Sequence, residues 1–283
     1  MMVKRYALAF VVIFLICEFA EAQSFYRRNR KSGYQLGLSL GIASYHGDLA
    51  EAKVNFDPNF AVAGDIQFPV EGRFSVRGSL MWYRISAIPD KEFESDNSPN
   101  RRNLSFRSNN IEVSALGIFT LTPSSPRART DWTTYLMGGI GATFFNPKAE
   151  LNGTFHKLQP LNTEGENYSK VALVIPVGIG INYKMSYEWS IVLEGSYRFT
   201  TTDYLDDVST RYIDNNSFTD PIAQQLADRG PEIGVALRSA GDQRGNSDDK
   251  DGYLLIQAKV NYHLNQGMYY KRKKRRRSKI FRR

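Results

Sequence analysis

Three histidines, His46, His156 and His263, are the side chains whose ordinary pKa values suit proton transfer near neutral pH. An acyl-transfer role for any of them needs a hydroxyl nucleophile alongside and an acid to orient the ring. No strand-to-helix elbow presenting a serine accompanies them, so all three are expected in surface or loop positions. The single cysteine, Cys17, falls in the N-terminal apolar run and is expected to leave with it, so no disulfide, thiol nucleophile or cysteine metal site remains. Two acid clusters invite a calcium assignment: Asp203, Asp206 and Asp207, and Asp248, Asp249 and Asp251. Neither has the full spacing of a calcium loop, and both are expected as solvated loop acids. No metal and no cofactor is expected. Gly139, Gly141, Gly178 and Gly180 lie inside extended runs and not between a strand and a helix, which removes a nucleotide fingerprint.

Six further ionisable residues are set apart by their register. Asp65, Arg77, Glu112, Glu194, Arg198 and Lys259 each occupy the small or polar face of a segment whose other face is apolar. Eight such segments are read: residues 33–43, 59–68, 74–85, 110–121, 133–145, 171–183, 189–200 and 252–264. In the first, Tyr34, Leu36, Leu38, Leu40 and Ile42 alternate with Gly33, Gln35, Gly37, Ser39 and Gly41. Leu116 and Ile118 blur the alternation of the fourth. Each run has ten or more residues, enough for a tilted strand of about 9–11 residues to cross a bilayer.

The fold class that follows is all-β: an eight-stranded antiparallel transmembrane β-barrel, apolar side outward. The connections support it, being short after strands two, four and six and long after strands one, three, five and seven, as tight periplasmic turns and large extracellular loops require. Phe68, Phe74, Trp132, Tyr183, Trp189 and Tyr262 fall at the turn ends, and Trp82, Phe144, Tyr197 and Phe199 toward the loop ends, which gives two aromatic girdles. A soluble lipocalin-like barrel is the alternative, but the charged and small face suits a narrow interior better. Three acids and three bases inside such a barrel are expected to pair and plug it.

Residues 1–22 read as a signal peptide: Lys4 and Arg5, an apolar run to Cys17, and Ala20 and Ala22 at the cleavage pattern. Residues 23–32 are then a periplasmic N-terminal segment, 33–264 the barrel and 265–283 a basic periplasmic tail, and the destination is the outer membrane. The net charge of +8 belongs to that tail, which carries ten basic residues from Lys271 onward and no acid. The body lacks the distributed basic surface of a nucleic-acid binder. No small-molecule substrate is evident.

Six segments stand out in order along the chain: SYHGDL (44–49), RNLSFRSN (102–109), FNPKA (145–149), LQPLNTEG (158–165), IPVGIG (175–180) and TDYLDDVS (202–209). Together they resemble the PorG family of small outer-membrane barrels of the type IX secretion system. The resemblance implies a non-enzymatic scaffold of a protein-export machine. It implies contact with a periplasmic ring built from a lipoprotein and its partner, and in some cells a link to gliding motility. The tail residues Lys271, Arg272, Lys273, Lys274, Arg275, Arg276 and Arg277 then have two readings: a segment touching anionic headgroups, or an electrostatic tether to an acidic face of the ring.

Overall fold

The computed structural model describes residues 33–49, 58–87, 102–122, 131–186 and 188–264. The signal peptide, the N-terminal segment and the basic tail lie outside the described residues. Ten strands form: β1 (Gln35–His46), β2 (Asn59–Glu71), β3 (Phe74–Ala87), β4 (Phe106–Thr120), β5 (Trp132–Phe144), β6 (Pro147–Leu151), β7 (Thr154–Lys157), β8 (Val171–Lys184), β9 (Trp189–Thr200) and β10 (Gly252–His263). Eight of them pair antiparallel in the circuit β1-β2-β3-β4-β5-β8-β9-β10 and back to β1. The sheet therefore closes, and its backbone groups are satisfied without an edge facing lipid.

The wall strands run from 12 residues in β1 to 15 in β4. At about 3.4 Å per residue and a tilt of about 40°, twelve residues span about 30 Å along the barrel axis, the thickness of the hydrocarbon core. Their outward face is apolar, with Ile140 72%, Leu38 63% and Leu173 63% exposed. In a soluble protein such a belt is a liability; around a closed barrel it is the lipid contact. Aromatic pairs rim the turn end, Trp132 with Tyr183, Trp189 with Tyr262 and Phe74 with Phe119, and Phe60 with Trp82 and Tyr197 with Phe199 rim the loop end. No helix among the described residues is long and apolar enough to cross a membrane. The protein is an outer-membrane β-barrel.

The inner face differs from one end to the other. Leu116 and Ile118, the pair that blurred the alternation in β4, point inward and join Tyr135, Met137 and Val192 in an apolar layer at the turn end. Ionic side chains follow, and then a larger apolar and tyrosine cluster toward the loop end that includes Tyr45, Tyr83, Ile85, Phe106, Tyr253 and Leu255. Glycine makes room where side chains would collide: a Cβ at Gly180 would lie 2.2 Å from the Tyr135 ring, and one at Gly37 2.6 Å from the Asp65 carboxylate.

Two corrections concern the long connections. The third of them was expected as loop, yet it contains the hairpin β6–β7, which pairs with the end of β4 and extends the wall above the membrane. Its two-residue turn is Asn152-Gly153, with φ of 51° and 78°, the left-handed pair that a type I′ hairpin requires. The fourth, residues 201–251, is a folded cap carrying helix α1 (Pro221–Ala227) and two 3-10 turns.

Orientation is testable with single cysteines, since Cys17 is the only native one. Ser247, exposed in the cap, and Glu71, exposed at a turn, should behave oppositely as cysteine variants. A membrane-impermeant maleimide added to intact cells is expected to label Ser247→Cys and to leave Glu71→Cys unlabelled until the cells are broken. The reverse pattern would invert the topology.

Candidate functional site

Two buried polar assemblies occupy the barrel, one within the wall and one at its loop-end mouth. The wall assembly holds the six ionisable residues singled out in the sequence. Arg77 lies 2.6 Å from Glu194 and 3.7 Å from Asp65, and Lys259 lies 2.9 Å from Asp65 and 3.1 Å from Glu194. The four form a ring in which each charge has two opposite neighbours. Gln67 accepts from Arg77 at 3.0 Å, and Tyr135 donates to Glu194 in a short hydrogen bond. Above it Arg198 stands 3.6 Å from Glu112, which also accepts from the Tyr253 hydroxyl at 2.7 Å. These side chains are 5% exposed or less. Buried ions hold together only when paired and hydrogen-bonded, and here the charges sum to zero.

Ser39 bears on catalysis. Residues 37–41 spell GLSLG, the spacing of a nucleophile elbow. The structure places Ser39 in mid-strand on β1, where it donates to the Ala63 carbonyl at 3.3 Å and accepts from Gln257 at 3.2 Å, with no strand-to-helix turn. His46 ends β1, His156 lies in β7, and His263 ends β10. The Nε2 of His263 lies 2.9 Å from the Ser190 hydroxyl, but Ser190 is fully buried and the His263 Nδ1 meets no acceptor among the described residues. A hydroxyl and a ring without an orienting acid lack the third member of a triad.

The mouth assembly overturns the expectation of solvated acids. Asp203, Asp206, Asp207 and Asp251 are each 3% exposed or less, although Asp248 and Asp249 are exposed. Arg244, also buried, ties the cap together. Its guanidinium donates to Glu164 at 2.8 Å, to the Asp207 carbonyl at 2.5 Å and to the Ala227 carbonyl at the end of α1. Thr163 and Tyr168 donate to the Asp207 carboxylate at 2.5 and 2.6 Å, and Glu164 accepts from the backbone amides of Ser209 and Thr210. Arg102 bridges the Arg244 and Asp48 carbonyls at 2.5 and 2.7 Å. Tyr168 stacks on Tyr204 with centroids 4.6 Å apart, and Phe106 meets Tyr45 edge-on at 4.8 Å. Burial raises the Asp207 carboxyl to about 6 against the pull of Arg244. Among the described residues no group of three or more histidines, cysteines or acids is placed to hold a metal ion.

The cap latches to the wall at Tyr45. Its hydroxyl is 2.7 Å from Asp206 Oδ2 and 2.6 Å from Asp251 Oδ1. A tyrosine hydroxyl has one hydrogen to donate, so one of the two acids must itself carry a proton and donate to the tyrosine oxygen. Burial, followed by the mutual repulsion of the carboxylates, raises the Asp206 carboxyl, and burial raises that of Asp251 likewise. Most of these residues belong to the segments that carried the family resemblance. SYHGDL supplies Tyr45 and Asp48, RNLSFRSN Arg102 and Phe106, LQPLNTEG Thr163 and Glu164, and TDYLDDVS Asp203, Asp206 and Asp207. The basic residues from Lys271 to Arg277 lie outside the described residues.

No protein-family model and no curated protein sequence matches the chain. Among solved structures it is similar to the Neisserial surface protein A, at 8% identity over 82% of this chain and 98% of that one with a TM-score of 0.44. It is also similar to Ail, the attachment invasion locus protein of Yersinia pestis, at 10% identity over 83% and 99% with a TM-score of 0.40. A third is the N-terminal β-barrel domain of Pseudomonas aeruginosa OprF, at 7% identity over 81% and 97% with a TM-score of 0.37. The barrel assignment stands on the strand circuit and the apolar belt, not on these likenesses. Fold and site together define a small outer-membrane barrel with a charge-filled lumen and a folded cap over its loop-end mouth.

Proposed function

We propose that this barrel is a non-enzymatic scaffold or anchor subunit of the type IX protein secretion machinery, holding a periplasmic ring to the outer membrane. The observation that carries the reading is the filled interior. A lumen closed by a zero-sum ion cluster and roofed by a cap is suited to no conduction, which leaves the outer wall, the cap and the basic tail as the parts by which the protein acts. The resemblance of the cap-building segments to the PorG family supplies the particular machine. Truncation after Gln266 should leave a heat-modifiable folded barrel and weaken recovery of the ring. The deficit should shrink as salt brings the Debye length below about 8 Å. Equal recovery at low salt would assign the tail to the membrane surface.

The exposed cap favours a second reading, a passive surface barrel of adhesin type. Deleting the gene separates the readings. Loss of secreted proteins supports the scaffold, and a surface-binding defect with normal secretion supports the passive barrel. Altered lipid A with normal secretion would instead point to a lipid-modifying enzyme.

A further inference from the structure

Among the described residues, one stretch of the outer wall, just above the loop-end girdle, carries cations where the rest of the outward face carries none. Arg107 on β4 stands opposite Lys148 on β6, and Lys148 stands opposite Lys157 on β7. All three face outward, since their neighbours Phe106, Ser108 and Ala149 are buried inside. Directly opposed residues on adjacent strands have Cβ atoms about 4.5–5.5 Å apart, a spacing at which like charges repel. Three cations in a row across three strands therefore oppose the pairing that holds the hairpin to the wall. Arg84 joins them from β3, one step diagonal to Arg107 and opposite Asn109.

No ion pair among the described residues engages any of the four. Glu150, exposed on β6, is the acid on that outward face of the hairpin. Two of the cations are nonetheless held in place. The Arg107 guanidinium sits 5.0 Å over the Phe155 ring, and that of Arg84 sits 5.9 Å over Trp82 while its Nε donates to Asn109 Oδ1 at 2.8 Å. Planar guanidinium groups fixed on rings lose little freedom when they grip a phosphate. Across the barrel, the outward positions at the same end of β1, β9 and β10 are His46, Tyr197, Phe199 and Leu254.

Height selects the occupant. Arg84 lies two residues beyond Trp82, about 5 Å further along the axis once a strand tilt of about 40° is allowed for. Arg107 lies four residues beyond Ile111, the partner of Trp82, and so about 10 Å above the girdle. The polar zone of one leaflet is about 5–8 Å deep. The row thus stands at and just above the headgroup level, facing the lipid and not the water over the mouth.

We propose that Arg84, Arg107, Lys148 and Lys157 form a binding surface for the phosphorylated headgroup of an outer-leaflet glycolipid, whose phosphates neutralise a row of cations that have no ion-pair partner among the described residues. The inference stands independently of any role in secretion.

The test uses the full mature chain in detergent, with purified bisphosphorylated lipid A and its dephosphorylated form as probes, in EDTA, read by native mass spectrometry. Wild-type protein is expected to retain the bisphosphorylated lipid. Removing the lipid's phosphates, or combining R84Q, R107Q, K148Q and K157Q, is expected to weaken retention about tenfold or more. The heat-modifiable gel shift reports whether the combined variant is folded. If it is not, the pair K148Q and K157Q, whose side chains stand off the hairpin, serves instead with an expected smaller loss in the same direction. Equal retention by the folded variant and the wild type, or equal retention of the two lipids, overturns the proposal.

Discussion

Replacing Glu194 by methionine is expected to cost about 3–5 kcal/mol of stability, the largest effect of any single change in the wall, because it leaves two buried cations facing one carboxylate. Glu194 lies 2.6 Å from Arg77 and 3.1 Å from Lys259, and Asp65 is their other anion. Neither cation reaches water, with Arg77 and Lys259 at 2% and 3% exposed. The lost charge cannot be made up from outside. Size alone does not account for the cost, since methionine fills nearly the same volume as glutamate and apolar swaps that conserve volume cost less than about 1.5 kcal/mol.

The double variant Glu194→Met with Lys259→Met separates charge from packing. It restores a sum of zero, with Arg77 and Asp65 still 3.7 Å apart, and should recover about 2 kcal/mol or more relative to the single variant. Urea unfolding in micelles followed by tryptophan emission reads both, because the three tryptophans sit on the outer wall at Trp82, Trp132 and Trp189. A double variant no more stable than the single one would mean that the ring is held by shape and not by charge balance.

What could be read in the sequence and what could not divides along contact range. A wall strand declares itself locally, since an outward apolar residue every second position is a requirement of lipid and needs no partner to be recognised. That is why the eight wall strands match the expected runs within a few residues, with β4 starting earlier, at Phe106. The inward ionisable residues were visible for the same reason, as charges on the wrong side of a period of two. The β6–β7 hairpin was legible in principle: Asn152-Gly153 between Leu151 and Thr154 is a strong short-range turn signal, hidden inside what looked like one long connection. The GLSLG run is the opposite case, a spacing whose strand-to-helix context is absent, so that spacing alone would have pointed to a nucleophile that the fold does not present. The cap had no local signature. Tyr45 meets Asp206 and Asp251 across 161 and 206 residues, and an aspartate in a polar loop carries no mark of the burial it will undergo.

That burial makes the cap sensitive to pH, and Asp206→Asn is expected to remove the share of that sensitivity that Asp206 contributes. In the unfolded chain both acids ionise near pH 4, whereas in the latch burial raises both, and the neighbouring Asp251 carboxylate raises Asp206 further. A carboxyl whose folded pKa lies above its unfolded one binds a proton on folding. Its contribution is fully present below about pH 4 and is lost as the pH rises toward the folded value. For one proton the slope is about 1.4 kcal/mol, or tenfold in the opening equilibrium, per pH unit. The surroundings do not cancel this. Asp48 and Asp203 also face Asp251 and raise it further, and the nearby cations Arg102 and Lys250 act on Asp48 and Asp203. An asparagine at position 206 supplies amide hydrogens in place of the shared proton. It can donate to the Tyr45 oxygen while Tyr45 donates to Asp251. Two amides report the latch directly: Leu205 donates to Asp251 Oδ2 at 2.8 Å and Val208 to Asp206 Oδ1 at 2.9 Å. Their hydrogen exchange, corrected for hydroxide catalysis, should accelerate between pH 6 and 9 in the wild type by about tenfold per unit over the titrating range and rise less steeply in Asp206→Asn, where the raised carboxyls of Asp251 and Asp203 still titrate. Parallel profiles in the two proteins would show that the hydroxyl and the two carboxyls do not share a titrating proton.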